Sequence, residues 1–181
     1  MSAAAQTQTT WAIDASHSSV EFAVKHMMFT TMKGRFSAVE GTILADESNP
    51  ANSSVQVKID VNSIDTRDEK RDGHLRSADF FDAATFPQIT FTSTNVESQG
   101  HNEYVINGNL TIRDVTREIA IPATFHGTGG TPFGTTAAGF SAELTINRKD
   151  FGLTWNVALE TGGVLVSDNV KISLDIEAVK Q

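Results

Sequence analysis

Apolar residues in this chain return at every second position over stretch after stretch, the period of a β-strand with one buried face. The clearest run sets Val55, Val57, Ile59 and Val61 against Gln56, Lys58, Asp60 and Asn62. The same alternation marks Val20, Phe22 and Val24; Ile89 and Phe91; Tyr104, Ile106, Gly108, Leu110 and Ile112; and Ile119, Ile121, Ala123 and Phe125. It continues through Phe140, Ala142, Leu144 and Ile146 and then through Val170, Ile172, Leu174 and Ile176. A stretch from Arg35 to Leu44 is less regular, with Gly34 and Gly41 suggesting a bulge or bend. Short turns between the runs predict hairpins, hence about eight antiparallel strands. Without a βαβ rhythm, such strands close into a barrel or stack as a sandwich. Lys58, Asp60, Glu118, Lys171, Asp175 and Glu177 occupy the outward positions. Only one side of the sheet then needs covering, which favours an all-β antiparallel barrel.

One segment breaks the pattern. Thr66 followed by Glu69 reads as a capping box opening a short helical insertion to about Arg76. Its charges alternate in sign from Arg67 to Asp72, so a solvated face is favoured over a polyanion site. Phe80, Phe81 and Phe86 follow outside any strand, and the open end or interior of a barrel is the place to bury them. Leu153, Trp155, Val157 and Leu159, ahead of Gly162 and Gly163, suit either a strand or a lid. Small residues at the inward positions Gly108, Ala123, Ala138 and Ala142 leave the interior partly empty, or fit the taper of a filled barrel.

With 181 residues the chain fits one domain, here a flexible tail over 1–10 and a barrel over 11–181. A net charge of -8 argues against a nucleic-acid partner, whose phosphates are met by Lys and Arg. Zero cysteines exclude disulfides, thiolate metal sites and a Cys nucleophile. The first ten residues lack the basic and apolar regions of a secretory signal, which places the chain as written in the cytoplasm. Ala3-Ala4-Ala5 also suits the trailing edge of a cleavage site, so a mature periplasmic protein would begin much the same way.

Five segments in order resemble the YceI-like family: Asp14 to Ser37 (DASHSSVEFAVKHMMFTTMKGRFS), Asp72 to Phe91, Ile106 to Ile119, Ile146 to Leu153 and Val166 to Glu177. The resemblance covers the chain from about Trp11 onward. It implies an eight-stranded lipocalin-like barrel with a helical insertion, around an apolar tunnel for polyisoprenoid lipids, isoprenoid quinones included. It also implies homodimers. Asp114 departs from the glycine that the family often has in the turn after its LTIR motif, and Asp suits a turn equally.

Catalytic constellations are weak. His17 and His26 fall on opposite faces of a regular strand, so no metal site is expected. Ser141 in Gly139–Glu143 sits within a strand with no acid-base partner in view, unlike a nucleophile elbow. Gly127 to Pro132 reads as a hairpin loop, since no helix follows to receive a phosphate. Asp79 and Asp82 read as turn residues rather than a glycosidase pair. The triplets at Asn52 and Asn109 match a glycosylation pattern common by chance.

Two polar residues share parity with an apolar face, His26 and Arg148. Arg148 reads either as a structural ion pair at the rim or, with His26, as a contact for a ligand headgroup. The expected function is non-enzymatic binding, storage or transport of a long-chain polyisoprenoid or quinone, with no cofactor beyond that lipid. Strand parity assigns its tunnel to Phe22, Val24, Phe36, Ile59, Phe91, Ile106, Leu110, Ile121, Phe140 and Leu144, closed by Phe80 and Phe81. Transient membrane contact would serve ligand exchange. The alternatives are a carrier of fatty acids or other small hydrophobes, and a filled-barrel, stress-related interaction module.

Overall fold

Alternating residues become eleven strands in the computed structural model, which describes residues 8–181. They are β1 (Gln8–Ile13), β2 (Ser19–His26), β3 (Thr30–Phe36), β4 (Val39–Asp46), β5 (Ser54–Asp60), β6 (Ile64–Asp65), β7 (Gln88–Gly100), β8 (Glu103–Ile112), β9 (Val115–Gly130), β10 (Thr136–Asn147) and β11 (Asn169–Lys180), with helix α1 (Glu69–Arg76) between β6 and β7. Pairing reduces them to eight staves. On one side β11 meets β10 from Ala137↔Val179 to Asn147↔Asn169. On the other it takes β1 near Ala178 and β2 near Leu174, so β1 and β2 form one stave broken by a turn at Ala15–His17. Strands β3 and β4 form the next stave and β5 with β6 the third; β7 to β10 complete an antiparallel barrel.

Several local expectations change. Strand β1 was not foreseen; it takes in residues 8–10 of the expected tail, while residues 1–7 lie outside the described residues. The irregular run from Arg35 to Leu44 is split between β3 and β4, and the break falls at Ser37 and Ala38 rather than at a glycine. Gly34 instead sits in unbroken register opposite Phe22, where a Cβ would collide with the Phe22 ring. Gly108 works the same way: a Cβ there would come within 2.6 Å of Phe91 Cζ and 2.5 Å of the Thr92 carbonyl. The missing side chain at Gly108 is therefore occupied by a phenyl ring and leaves no void.

The expected capping box does not form. Arg67 adopts a left-handed φ of 64°, which turns the chain before the helix starts, and Asp68 becomes the N-cap, accepting the Arg71 N–H at 3.1 Å. Thr66 is buried, and its N–H donates to Asp72 Oδ1 at 2.9 Å, tying the loop to the helix. At this α1 end of the barrel Val61, Ile64, Phe80, Phe151 and Leu153 pack into a dense core. At the far end Trp11, Ala138 and Ala178 form a second cluster with Phe125 and Phe140.

Outside the barrel, the break between β1 and β2 carries a polar cluster. His17 Nδ1 lies 2.9 Å from Asp14 Oδ2 and 4.0 Å from Glu177 Oε1 on β11. Hydrogen bonds from Ser16 and His17 hold the Asp14 carboxyl at about 2. Asp14, then Glu177, raise the His17 imidazole above its ordinary 6.5. The Asp14 contribution is fully present above 3.8 and lost as pH falls toward 2. The His17 contribution is fully present below 6.5 and lost as pH rises through its raised native value. Denaturant midpoints measured across pH are expected to separate His17→Gln from the parent most between 3.8 and 6.5, with the gap narrowing on either side.

Candidate functional site

The inward side chains of a closed barrel either meet across its axis or surround a space. Val170, Ile172, Leu174 and Ile176 point inward from β11, and none is fully buried, whereas Ala178 at the far end is 0% exposed. Ile106 on β8 and Ile119 and Ile121 on β9 show the same half-burial. All seven line one cavity of about 610 Å³. The barrel is hollow, which overturns the filled-barrel reading.

The cavity runs the length of the barrel. Trp11, Tyr104 and Phe125 line it at the far end; Phe22, Leu75, Phe81 and Trp155 line it toward α1. Every tunnel position read from strand parity faces it: Phe22, Val24, Phe36, Ile59, Phe91, Ile106, Leu110, Ile121, Phe140 and Leu144. Phe80 and Phe81 do so from the segment after α1. Aromatic contacts build that cover. Phe36 meets Phe81 edge-on at 5.8 Å, while Trp155 lies 5.2 Å from Phe80 and 4.8 Å from the His74 ring. His74 is held in turn by Asp79 Oδ2, 2.8 Å from its Nε2. Asp79 thus has a structural partner, and Asp82 turns the chain at φ 49°.

A match to the YceI-like domain family extends over residues 11–178. The chain belongs to the YceI-like family. A UPF0312 protein of Pectobacterium atrosepticum and Protein YceI of Salmonella newport are each 39% identical to it over 168 residues, covering 93% of this chain and 84% of theirs. BcnA of Burkholderia cenocepacia superposes with a TM-score of 0.78 at 28% identity, covering 91% of this chain and 98% of its own. The Campylobacter jejuni YCEI protein gives 0.74 at 28%, covering 87% and 90%. A polyisoprenoid binding domain from Saccharophagus degradans gives 0.73 at 18%, covering 96% and 99%, a likeness of fold.

Within this YceI-like barrel the two inward polar residues part company. The Arg148 side chain lines the cavity, but its guanidinium is spent on the main chain. Nε donates to the Ser167 carbonyl at 3.0 Å, and Nη1 donates to Leu153 at 2.6 Å and Trp155 at 2.9 Å. Nη2 reaches the Val166 carbonyl at 3.5 Å and lies 3.8 Å from Asp168 Oδ1. Burial pushes its pKa down and Asp168 opposes the shift. These partners, mostly main-chain carbonyls, support the structural reading of Arg148 and leave few of its donors for a headgroup. His26 lines the rim and makes no ring hydrogen bond among the described residues. It remains available to a polar ligand atom.

The segment left open between strand and lid is a small hairpin laid against β2. Ala158 bridges Val164, Val166 bridges His26, and the Met27 N–H donates to the Leu165 carbonyl at 2.8 Å. Leu165 and Val166 line the cavity with Trp155. Arg71 and His74 line it from α1, a face read in the sequence as solvated; alternating charge gave no sign of it. Ser141 has a partner that its strand position did not reveal, His126 Nε2 at 2.7 Å across β9 and β10. No carboxylate hydrogen-bonds that imidazole among the described residues. The stretch from Gly127 to Gly130 is the end of β9, and the hairpin turns at residues 131–135.

Proposed function

We propose that this protein binds and carries a long isoprenoid lipid, a polyprenol or isoprenoid quinone, without chemical conversion. The apolar cavity along the barrel axis carries the reading. Its volume of about 610 Å³ falls within the roughly 300–1,000 Å³ of small-molecule sites. Its walls are Phe, Ile, Leu and Val, with few polar groups to orient a compact polar substrate. Strand β11 has 12 residues, and a strand that long extends roughly 40 Å, which favours a slender chain over a compact ligand. Each methylene removed from water contributes about 0.8 kcal/mol, enough over a long chain to outweigh the cost of ordering it. The Saccharophagus degradans domain of like fold is a polyisoprenoid binder, and its ligand class suits this tunnel.

Fatty acids and other small hydrophobes are the second reading, because the same walls accept any alkyl chain. Extraction of the purified protein with organic solvent followed by mass spectrometry separates the two. A prenol or quinone mass is the expected result, and a fatty-acid mass favours the second reading. An empty extract, with no uptake of added prenol or quinone, overturns the isoprenoid proposal.

A further inference from the structure

The β2–β3 hairpin ends in Met27, Met28 and Phe29, which are 40%, 60% and 80% exposed. Met27 and Met28 take left-handed φ values of 50° and 64°, a conformation that costs non-glycine residues energy. An exposed turn ordinarily avoids both features, and their coincidence here points to a use. Backbone contact joins this tip to the 153–166 hairpin, where Val157 is 46% exposed and its carbonyl accepts the Leu165 N–H. Four of the exposed large apolar residues therefore share one ledge; among the described residues the fifth, Phe133, lies at the opposite end, in the β9–β10 turn. The ledge stands at the rim of the cavity, because Val24, His26 and Met32 of the same hairpin line it.

Charge distinguishes this hairpin from the rest of the chain. No carboxylate occurs between Glu21 and Glu40, in a protein whose net charge is -8. The outer face of the hairpin carries Lys25, Lys33 and Arg35. Arg35 pairs with Asp65 at 3.2 Å; Lys25 and Lys33 have no ion pair among the described residues, and Lys25 Nζ donates to the Thr31 hydroxyl at 2.8 Å. Glu160, in the adjoining turn, is an exposed acid beside this basic face. Methionine and phenylalanine at a tip, with lysines behind them, match a bilayer interface with anionic headgroups.

We infer that the Met27–Phe29 tip is a membrane-docking wedge that sets the tunnel rim against an anionic bilayer for ligand exchange. This rests on the lipid-carrier reading but is testable apart from it. Ligand-free protein is sedimented with vesicles of phosphatidylcholine, or of phosphatidylcholine and phosphatidylglycerol in equal parts. Wild-type protein is expected to bind the anionic vesicles, less so in high salt, with the double variant Met28→Glu/Phe29→Glu weakened about tenfold. Equilibrium affinity for a fluorescent prenol in vesicle-free solution should be unchanged in that variant, which also verifies its folding. Wild-type binding that is absent, or is equal in the variant, overturns the wedge. A change of oligomeric state in the variant by light scattering, with vesicle binding intact, assigns the tip to a second copy and overturns it too. Loss of prenol uptake by wild type with vesicle binding intact defeats the carrier reading instead.

Discussion

Arg148→Met is expected to lower the melting temperature by roughly 10 °C while the folded variant keeps its affinity for prenol. Arg148 is 5% exposed, and its guanidinium gathers the carbonyls of Leu153, Trp155 and Ser167 at hydrogen-bonding distance, with Val166 at 3.5 Å. Those carbonyls belong to the two arms of the segment that closes the α1 end. Methionine fills similar volume but donates nothing, leaving several carbonyls short of a partner, and hydrogen bonds to a charged group are worth about 1.5–3 kcal/mol each. A net loss of about 3–5 kcal/mol is typical for a broken buried ionic network, and each kcal/mol moves a chain of this size about 2–4 °C. Arg148→Lys should rescue little, since one ammonium cannot reproduce a planar fork of donors aimed at both arms. Calorimetry alongside a prenol titration checks this. An unchanged melting temperature with lost affinity would return Arg148 to the ligand.

Parity made the barrel legible. A side chain on a strand has only two directions to point, so the alternation around Val57, Ile106 or Leu174 fixes which wall it joins without knowledge of its neighbours. Four kinds of feature escaped that logic. Strand β1 is half polar, with Thr9 and Thr10 ahead of Trp11, and its place was decided by partners distant in sequence, Leu44 and Lys180. Arg148 was correctly placed inward, but its partners are main-chain carbonyls of residues 153–167, which no side-chain pattern records. The pair Ser141 and His126 depends on the register shift between Gly139 and Phe140, a property of two strands together rather than of either. Hollowness is the subtlest case. Gly108 suggested a void where the Phe91 ring lies, while the open space is bounded by large residues such as Ile121 and Leu174 that stop short of meeting. Side-chain size at one position says little about volume at the axis, because a neighbouring ring can lean over a glycine.

That open space supplies the second large effect. Ala142 lines the cavity on β10, with Ala123 and Leu174 as its cross-strand neighbours, and the pairing of two alanines leaves a thin stretch of wall. Ala142→Trp would set an indole in the path of a threaded chain. Displacing about six methylenes of ligand at about 0.8 kcal/mol each costs about 5 kcal/mol, a thousandfold or greater loss of affinity for a long prenol. Short prenols that end before the obstruction should be much less affected. Folding should respond in the opposite sense, since filling an apolar cavity adds contacts, and the melting temperature should hold or rise. Titration with prenols of graded length, beside a thermal melt, reads both effects. Ala123→Phe narrows the same level of the tunnel from β9 and gives an independent obstruction should the indole fail to fit its wall. Long-prenol affinity that survives in a folded, obstructed barrel would place the ligand outside the tunnel, whereas affinity lost in step with chain length would identify the axis as its path.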